Sequence, residues 1–190
     1  MLEKAVHYFC CGLVAAIAFV TAAAAQPEEE NVLVPVPNGY KVDFQRNDNN
    51  SRVTEMVPVN ETGKNWTEKL TVRVFYRLAD VAPEKFKGQL EQLWSKACPG
   101  SESKPVKTGN DGGLPSITWM MLCKSNPSTG KPENTWLKVI QGADSLYVVE
   151  KAYKFTPTKA QEKQWLAFLD KVSVCDPRAP ERPCPETKTP

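Results

Sequence analysis

The stretch ITWMMLCKSNPSTGKPENTWLKVIQGADSLYVVEKAY, residues 117–153, decides the fold. Three runs within it, residues 117–123, 135–141 and 146–153, are rich in β-branched and aromatic residues, and polar segments separate them. Such runs favour strands, and short polar connections between strands favour antiparallel pairing. The stretch therefore predicts a three-stranded antiparallel meander.

Upstream of the meander, shorter patterns predict further strands. The clearest is at residues 70–74, where Leu70, Val72 and Val74 alternate with polar residues. Weaker alternation predicts strands at residues 40–44 and 52–59. Residues 32–37 contain two prolines, which restricts them to an edge strand.

Two segments have the apolar spacing of amphipathic helices. The first begins at Pro83 and is stopped by Pro99-Gly100, and the second begins near Thr158. Between the first helix and the meander, residues 101–115 predict a loop with one weak strand at Lys104–Lys107. The two predicted apolar stripes are Phe86, Leu90, Leu93, Trp94 and Ala97, then Gln161, Trp165, Phe168, Leu169 and Val172.

This order of elements predicts the α+β class, with strands, a helix, more strands and a second helix. The simplest arrangement is a single curved antiparallel sheet of six to eight strands with two main helices packed on it. We expect one domain over residues 26–174, beginning with a frayed segment at residues 26–31. Residues 175–190 predict a proline-rich C-terminal tail.

Residues 1–25 have the features of a signal peptide. Lys4 is followed by the apolar run Phe9–Val20, and Ala23 and Ala25 occupy the −3 and −1 positions of a cleavage site. The alternative is an uncleaved membrane anchor, but the apolar segment is at the lower length limit for crossing a bilayer. The sequence thus predicts a periplasmic or secreted protein that is not inserted in a membrane after cleavage.

The composition excludes several classes of function. The formal net charge of the chain is +2, which gives no electrostatic reason to expect nucleic acid as a partner. The single histidine, His7, lies in the predicted signal peptide. A mature chain without histidine cannot form an imidazole-based triad or the usual zinc site, and nothing in the sequence predicts a metal or cofactor.

Four cysteines remain after residue 25: Cys98, Cys123, Cys175 and Cys184. In an exported protein they predict two disulfides, for which three pairings exist. Proximity in sequence favours Cys98–Cys123 with Cys175–Cys184. The prolines between the second pair oppose closure because they favour extended backbone, unless a turn forms at Asp176-Pro177.

Three tryptophans are candidates for contact with a partner, which would be a protein or a small apolar ligand. Trp119 and Trp136 lie on predicted strands, and Trp66 follows a polar loop. The alternative for these residues is plain core packing. For Trp119 both sides of the strand are apolar, so the strand is either central and covered on both faces or lines a groove.

The chain resembles the PsbP-like superfamily, which includes the PsbP photosystem subunit, a nuclear-import Ran-binding factor, periplasmic lipoproteins and chaperones of secreted effectors. Asn65–Glu68, Trp94–Gly100 and Gly130–Glu133 also look like a family of exported bacterial proteins without assigned function. The resemblance implies the fold and a non-enzymatic binding role, and it transfers no functional residue. It rests on Val36–Val42, Leu70–Phe75, Pro83–Cys98, Ile117–Tyr153 and Phe168–Val172.

We therefore expect a non-enzymatic periplasmic or secreted binding or accessory protein, for example an immunity or inhibitor protein against a periplasmic toxin. The alternative is a histidine-free hydrolase that uses paired carboxylates. A hydrolase requires converging carboxyl groups with shifted pKa values, and Glu150 is the nearest case in the sequence. A binding protein requires an exposed apolar patch.

Overall fold

A computed structural model describes residues 29–185 of the chain. The predicted signal peptide at residues 1–25 lies outside the described residues. The elements, in chain order, are β1 (Asn31–Leu33), β2 (Tyr40–Asn47), β3 (Ser51–Pro58), β4 (Glu68–Tyr76), α1 (Pro83–Ala97), β5 (Glu102–Asp111), β6 (Leu114–Cys123), β7 (Glu133–Gln141), β8 (Ser145–Tyr153), α2 (Lys159–Asp170) and β9 (Ser173–Cys175).

Seven strands form one antiparallel sheet in the order β2-β3-β4-β8-β7-β6-β5. The meander β6-β7-β8 lies inside this sheet, as the sequence predicts, and β4 pairs with β8 along its full length. The predicted α+β class with two helices on an antiparallel sheet is confirmed. Strands β1 and β9 form a separate two-stranded sheet.

Each face of the sheet carries its own core. On the α1 face, Trp119, Leu137 and Val148 pack with residues of α1 such as Phe86 and Trp94. The α2 face is larger and buries side chains of β1, β4, β7, β8, β9 and α2 together. Strand β6 is therefore covered on both sides, which explains why both of its faces are apolar.

Local sequence signals determine where the two helices begin. Pro83 suits the first helical position because its missing amide would have no partner there. At the start of α2, Thr158 and Gln161 form a capping box, in which each side chain accepts from the other residue's backbone amide. Within α1, Leu93 and Ala97 depart from the predicted buried stripe, because both are exposed, Leu93 to 63%.

Strand β5 is longer than predicted. The expected loop with a weak strand at Lys104–Lys107 is instead a ten-residue edge strand, Glu102–Asp111, paired along β6. Its polar side chains give no apolar alternation, since nearly every one faces solvent. Pro105 is accommodated where the pairing register shifts, between Pro105 and Lys107.

The beginning and end of the described chain are attached to the domain rather than frayed. Glu30 is buried, and its carboxylate accepts from the amides of Ala143 and Asp144 and from the hydroxyl of Tyr147. At the other end, the first tail residue, Cys175, belongs to β9. The predicted fraying is wrong for Glu30 and Asn31, since Glu30 is buried and Asn31 belongs to β1.

Both disulfides of the favoured pairing are present, Cys98–Cys123 and Cys175–Cys184. The first joins the end of α1 to the end of β6. The second closes because the backbone reverses at Asp176: its carbonyl accepts from the Ala179 amide, and its amide donates to the Arg182 carbonyl. The turn thus overcomes the extended preference of the intervening prolines.

Candidate functional site

Two of the three candidate tryptophans are core residues. Trp119 is completely buried and Trp136 is 1% exposed. Trp119 lies beneath α1, and Trp136 packs edge-on against Tyr153 on the α2 face. Their prediction as partner-contacting residues is wrong, because helices cover both faces of the strands that carry them.

Trp66 is half-buried at the surface, but its ring is already in contact with cations. The ammonium groups of Lys69 and Lys154 lie 4.9 and 3.9 Å from the ring centroid. These cation–π contacts hold the ring against the domain. Trp66 therefore offers only part of its surface to a partner.

The exposed apolar side chains of the described residues are concentrated around β2. Of seven large, well-exposed apolar side chains, four lie on this strand or beside it and are 44–55% exposed: Val36, Val42, Phe44 and Val59. Val42 and Phe44 belong to β2 itself, Val36 comes shortly before it, and the Val59 amide donates to the Gly39 carbonyl. The other three are Leu78, Leu93 and Val106. This concentration marks the β2 edge as the candidate binding surface.

The two end strands of the sheet differ in how they are protected. Natural proteins block an exposed edge with lysine, proline and bulges. Strand β5 has all three of these features in Lys104, Pro105 and Lys107. Strand β2 has one lysine, Lys41, and a bulge at Asp43, whose carboxylate accepts from the Gly63 amide, but it has no proline and carries two exposed apolar side chains. The β2 edge is the less protected one.

An apolar trough runs beside β2 on the α2 face of the sheet. Its volume is about 250 Å³. One wall is the segment before β2, with Val32, Val34 and Val36, and the opposite wall includes Val42 and Met56. Most of the lining is apolar, so an apolar side chain entering the trough would leave water for a hydrocarbon surface.

A second depression, of about 440 Å³, adjoins the start of β2. Pro37, Tyr40, Trp165 and Phe168 form its apolar walls, and Lys171 is among its polar residues. The rings of Tyr40 and Trp165 meet edge to face at 5.6 Å. These rings separate the depression from a buried lysine, Lys151.

Lys151 is fully buried on the α2 face of β8. Its ammonium donates to the Tyr40 hydroxyl at 2.5 Å and to Glu68 at 2.8 Å, and it lies over the rings of Tyr153 and Trp165. Burial lowers the pKa of Lys151 to about 8, although the Glu68 carboxylate acts in the opposite direction. The cluster anchors the first residue of β2 to the core.

The buried lysine predicts an unusual dependence of stability on pH. From about pH 8 to about pH 10.5 the unfolded chain keeps a proton that native Lys151 has lost, so stability rises with pH. We expect a gain on the order of 1–2 kcal/mol in the free energy of unfolding from about pH 7 to about pH 9.5. Above about pH 10 the trend reverses, because burial raises the pKa of Tyr40 and Tyr153. Urea denaturation across this range measures the profile.

The Lys151→Met variant serves as the control for this profile. Without an amine at position 151, the free energy of unfolding should no longer rise between about pH 7 and about pH 9.5. A wild-type profile that falls steadily over this range, or an unchanged rise in Lys151→Met, would contradict the assignment.

A third hollow, of about 720 Å³, is polar and lies at one end of the sheet. Arg77 and Arg178 line it together with Asp144, and Arg77 has a left-handed backbone, with φ 58°. Both guanidinium groups are occupied within the protein. Arg178 pairs with Asp144 and Asp176, and Arg77 donates to the Asn49 carbonyl. The arginines around this hollow therefore connect the loops and the tail of the domain to one another.

The carboxyl groups whose pKa departs from its usual range are shifted in one direction. Hydrogen bonds from Arg178 hold the pKa of Asp176 low. Burial alone would raise the pKa of Glu61, but hydrogen bonds donated by Thr67 outweigh it. The pKa values of Asp48, Glu91 and Glu102 are lowered as well. A general acid requires the opposite shift.

Glu150, the carboxylate that the sequence singles out, lies near the middle of β8 on the α1 face. It accepts from the Thr135 hydroxyl and lies 3.7 Å from Arg73. Among residues 29–185, no group of three or more metal-ligating side chains is close enough to hold an ion. In the same part of the chain, no helix is both long and apolar enough to cross a membrane.

Sequence reasoning missed the β2 edge and Lys151. Lys151 did have a signal, since it alternates with Tyr147, Val149 and Tyr153 and so must share their buried face. The β2 edge had none, because the order of strands in a sheet is not encoded in the apolar pattern of one strand.

No family model and no curated protein matches the chain. Similar solved structures include the Ran-binding protein Mog1p of Saccharomyces cerevisiae, with 13% identity, TM-score 0.44 and coverage of 75% of this chain and 85% of that one. LpqN of Mycobacterium tuberculosis, involved in cell envelope biogenesis, has 12% identity, TM-score 0.42 and coverage of 78% and 86%. Cyanobacterial PsbP from Synechocystis has 9% identity, TM-score 0.42 and coverage of 82% and 97%.

Proposed function

We propose that this chain is a non-enzymatic binding protein of the periplasm or the secreted fraction, and that it holds a protein partner along β2. One observation carries the proposal: the exposed apolar side chains gather at the less protected edge of the sheet, around Val42 and Phe44. An inhibitor or immunity protein is one form of this proposal, because a rigid, disulfide-braced domain suits a blocking role.

Export is supported by two independent features. Residues 1–25 have the pattern of a cleavable leader. The two disulfides of the structure would persist in an oxidising compartment and are rare in a reducing one.

The carboxyl groups favour binding over hydrolysis. A paired-carboxylate hydrolase needs one carboxyl group that keeps its proton near neutral pH. The shifted carboxyl groups of the described residues all have lowered pKa values, as Asp176 and Glu61 illustrate. Glu150 has hydrogen-bonding and ionic partners within the sheet.

Strand addition is the binding mode that this edge suits. An extended segment of the partner would pair with the free backbone groups of β2, and its alternate side chains would enter the trough beside Val42. The trough, at about 250 Å³, is smaller than the roughly 300–1,000 Å³ of most small-molecule sites. Its size therefore favours the side chains of a protein segment over a separate small apolar ligand.

The test compares Val42→Asp with Val106→Asp. Both valines lie on an end strand and have similar exposure, 44% for Val42 and 41% for Val106, so the two substitutions should disturb the free protein equally. In quantitative capture from periplasmic extract, we expect Val106→Asp to retain the partner. Val42→Asp should retain at most about one-tenth as much, because a charge in an apolar contact costs more than about 1.4 kcal/mol.

Circular dichroism and the melting temperature establish that both variants are folded before capture. Equal retention of the partner by the two variants would contradict binding at β2. If only Val106→Asp loses the partner, the binding surface is at β5 and not at β2.

A further inference from the structure

One charged side chain lines the apolar trough without a carboxylate partner. Arg52, on β3, is half-buried, and its guanidinium donates to the side-chain oxygen of Asn31 at 2.7 Å. Within residues 29–185, no Asp or Glu forms an ion pair with it. A partly desolvated guanidinium at the edge of an apolar surface is well suited to bind a carboxylate.

From this arrangement we infer that the segment bound along β2 carries an acidic side chain that pairs with Arg52. The inference rests on the proposed function and names the chemistry of the partner: an extended protein segment with an apolar residue for the trough and an Asp or Glu for the arginine.

The register of the sheet fixes the spacing between these two residues. Val42 pairs with Met56, and Asn47 pairs with Arg52, so Met56 at the apolar end of the trough and Arg52 lie four residues apart on β3. The bulge at Asp43 adds one residue to β2 over the same length, so a regular strand beside β2 also spans four residues there. Side chains on one face of a strand recur every second residue. The apolar and acidic residues of the bound segment therefore share one face and are four positions apart.

The other face of β2 gives the matched control. Arg46 pairs with Val53, on the α1 face of the sheet, and its side chain is 63% exposed. It lies beside Asp48 at 3.5 Å. A carboxylate that faces the trough cannot reach Arg46, since the sheet lies between them.

The test uses fluorescein-labelled peptides with blocked termini: Thr-Val-Thr-Thr-Thr-Glu-Thr, its versions with Gln or Lys in place of Glu, and the same three in reverse order. Binding to the disulfide-intact protein is followed by fluorescence anisotropy. We expect the peptides of only one of the two sequence orders to bind. Among them, the Glu peptide should bind roughly tenfold more tightly than the Lys peptide, as for a partly buried charge pair. Arg52→Glu should reverse this preference and Arg52→Gln should abolish it, while Arg46→Glu should leave it unchanged.

The outcomes separate this inference from the proposed function. If the Glu and Lys peptides bind equally and Val42→Asp weakens both, β2 is the site but the pairing with Arg52 is wrong. If Val42→Asp weakens neither peptide, or if no peptide binds at about 1 mM, docking of an extended segment at β2 is contradicted. Dimerisation in sedimentation experiments that Val42→Asp abolishes would make a second copy of this chain the occupant and overturn the inference.

Discussion

Replacing Trp119 by alanine should lower the free energy of unfolding by about 3–5 kcal/mol, the usual cost of removing a large aromatic side chain from a core. Trp119 is fully buried in the cluster between the sheet and α1, among Ile117 and Leu137. The substitution removes the largest buried side chain of this cluster and leaves a cavity beneath the helix. Urea denaturation followed by far-ultraviolet circular dichroism measures the change.

The matched control is Trp66→Ala, which removes the same side chain from the surface. Because Trp66 is half-buried and held mainly by Lys69 and Lys154, its loss should cost about 1 kcal/mol or less. A change below about 1 kcal/mol for Trp119→Ala would show that this tryptophan is not a core residue. It would also reopen the prediction that Trp119 contacts a partner.

Removing the Cys98–Cys123 disulfide should have the next largest effect. The bridge closes a span of 25 residues, and the chain-entropy estimate for such a loop is about 3.5 kcal/mol. With both cysteines changed to alanine, the melting temperature of a domain of this size should fall by roughly 10 °C. The Cys175–Cys184 bridge closes only 9 residues, so its removal should cost about 2.5 kcal/mol.

The two double variants serve as controls for each other. Both remove two buried sulfurs, and they differ mainly in the length of the loop they release. A larger effect from Cys175→Ala with Cys184→Ala than from Cys98→Ala with Cys123→Ala would contradict the entropic account. Alkylation of any of these four cysteines in the native wild-type protein would contradict the disulfides themselves.

The meander could be predicted because its strands obey a simple rule. Trp119 alternates with Ile117 and Met121, and the residues between them make the other face apolar as well, which favours a central strand covered on both sides. The capping box at Thr158 likewise fixes the start of α2 from a local signal. The sequence thus predicts the elements whose burial or start depends on residues within the element itself.

Strand β5 could not be predicted by the same rule. Its residues from Glu102 to Asn110 are exposed, so no apolar alternation marks them, and pairing with β6 alone makes them a strand. An edge strand that is wet on both faces has the composition of a loop.

The candidate site was predicted less well than the fold. The sequence shows that Val42 is apolar but not that it is exposed, because its exposure depends on β2 being an end strand. Trp119 and Trp136 are more prominent in the sequence, yet their size is the reason that they fill the core. Arg52 is a candidate binding residue only because it lines the same trough as Val32, Val34 and Val36, and the sequence does not show that these residues lie close together.

Amide hydrogen exchange of the mature protein, alone and with its captured partner, tests the central claim most directly. If the partner adds a strand to the sheet, the amides of Tyr40–Asn47 that do not already donate to β3 should exchange more slowly in the complex, because strand pairing protects backbone N–H groups. The amides of Glu102–Asp111 on the opposite edge should be unchanged. Protection of Glu102–Asp111, or of the loops around Arg77 and Asp144, with unchanged exchange in β2 would contradict the account.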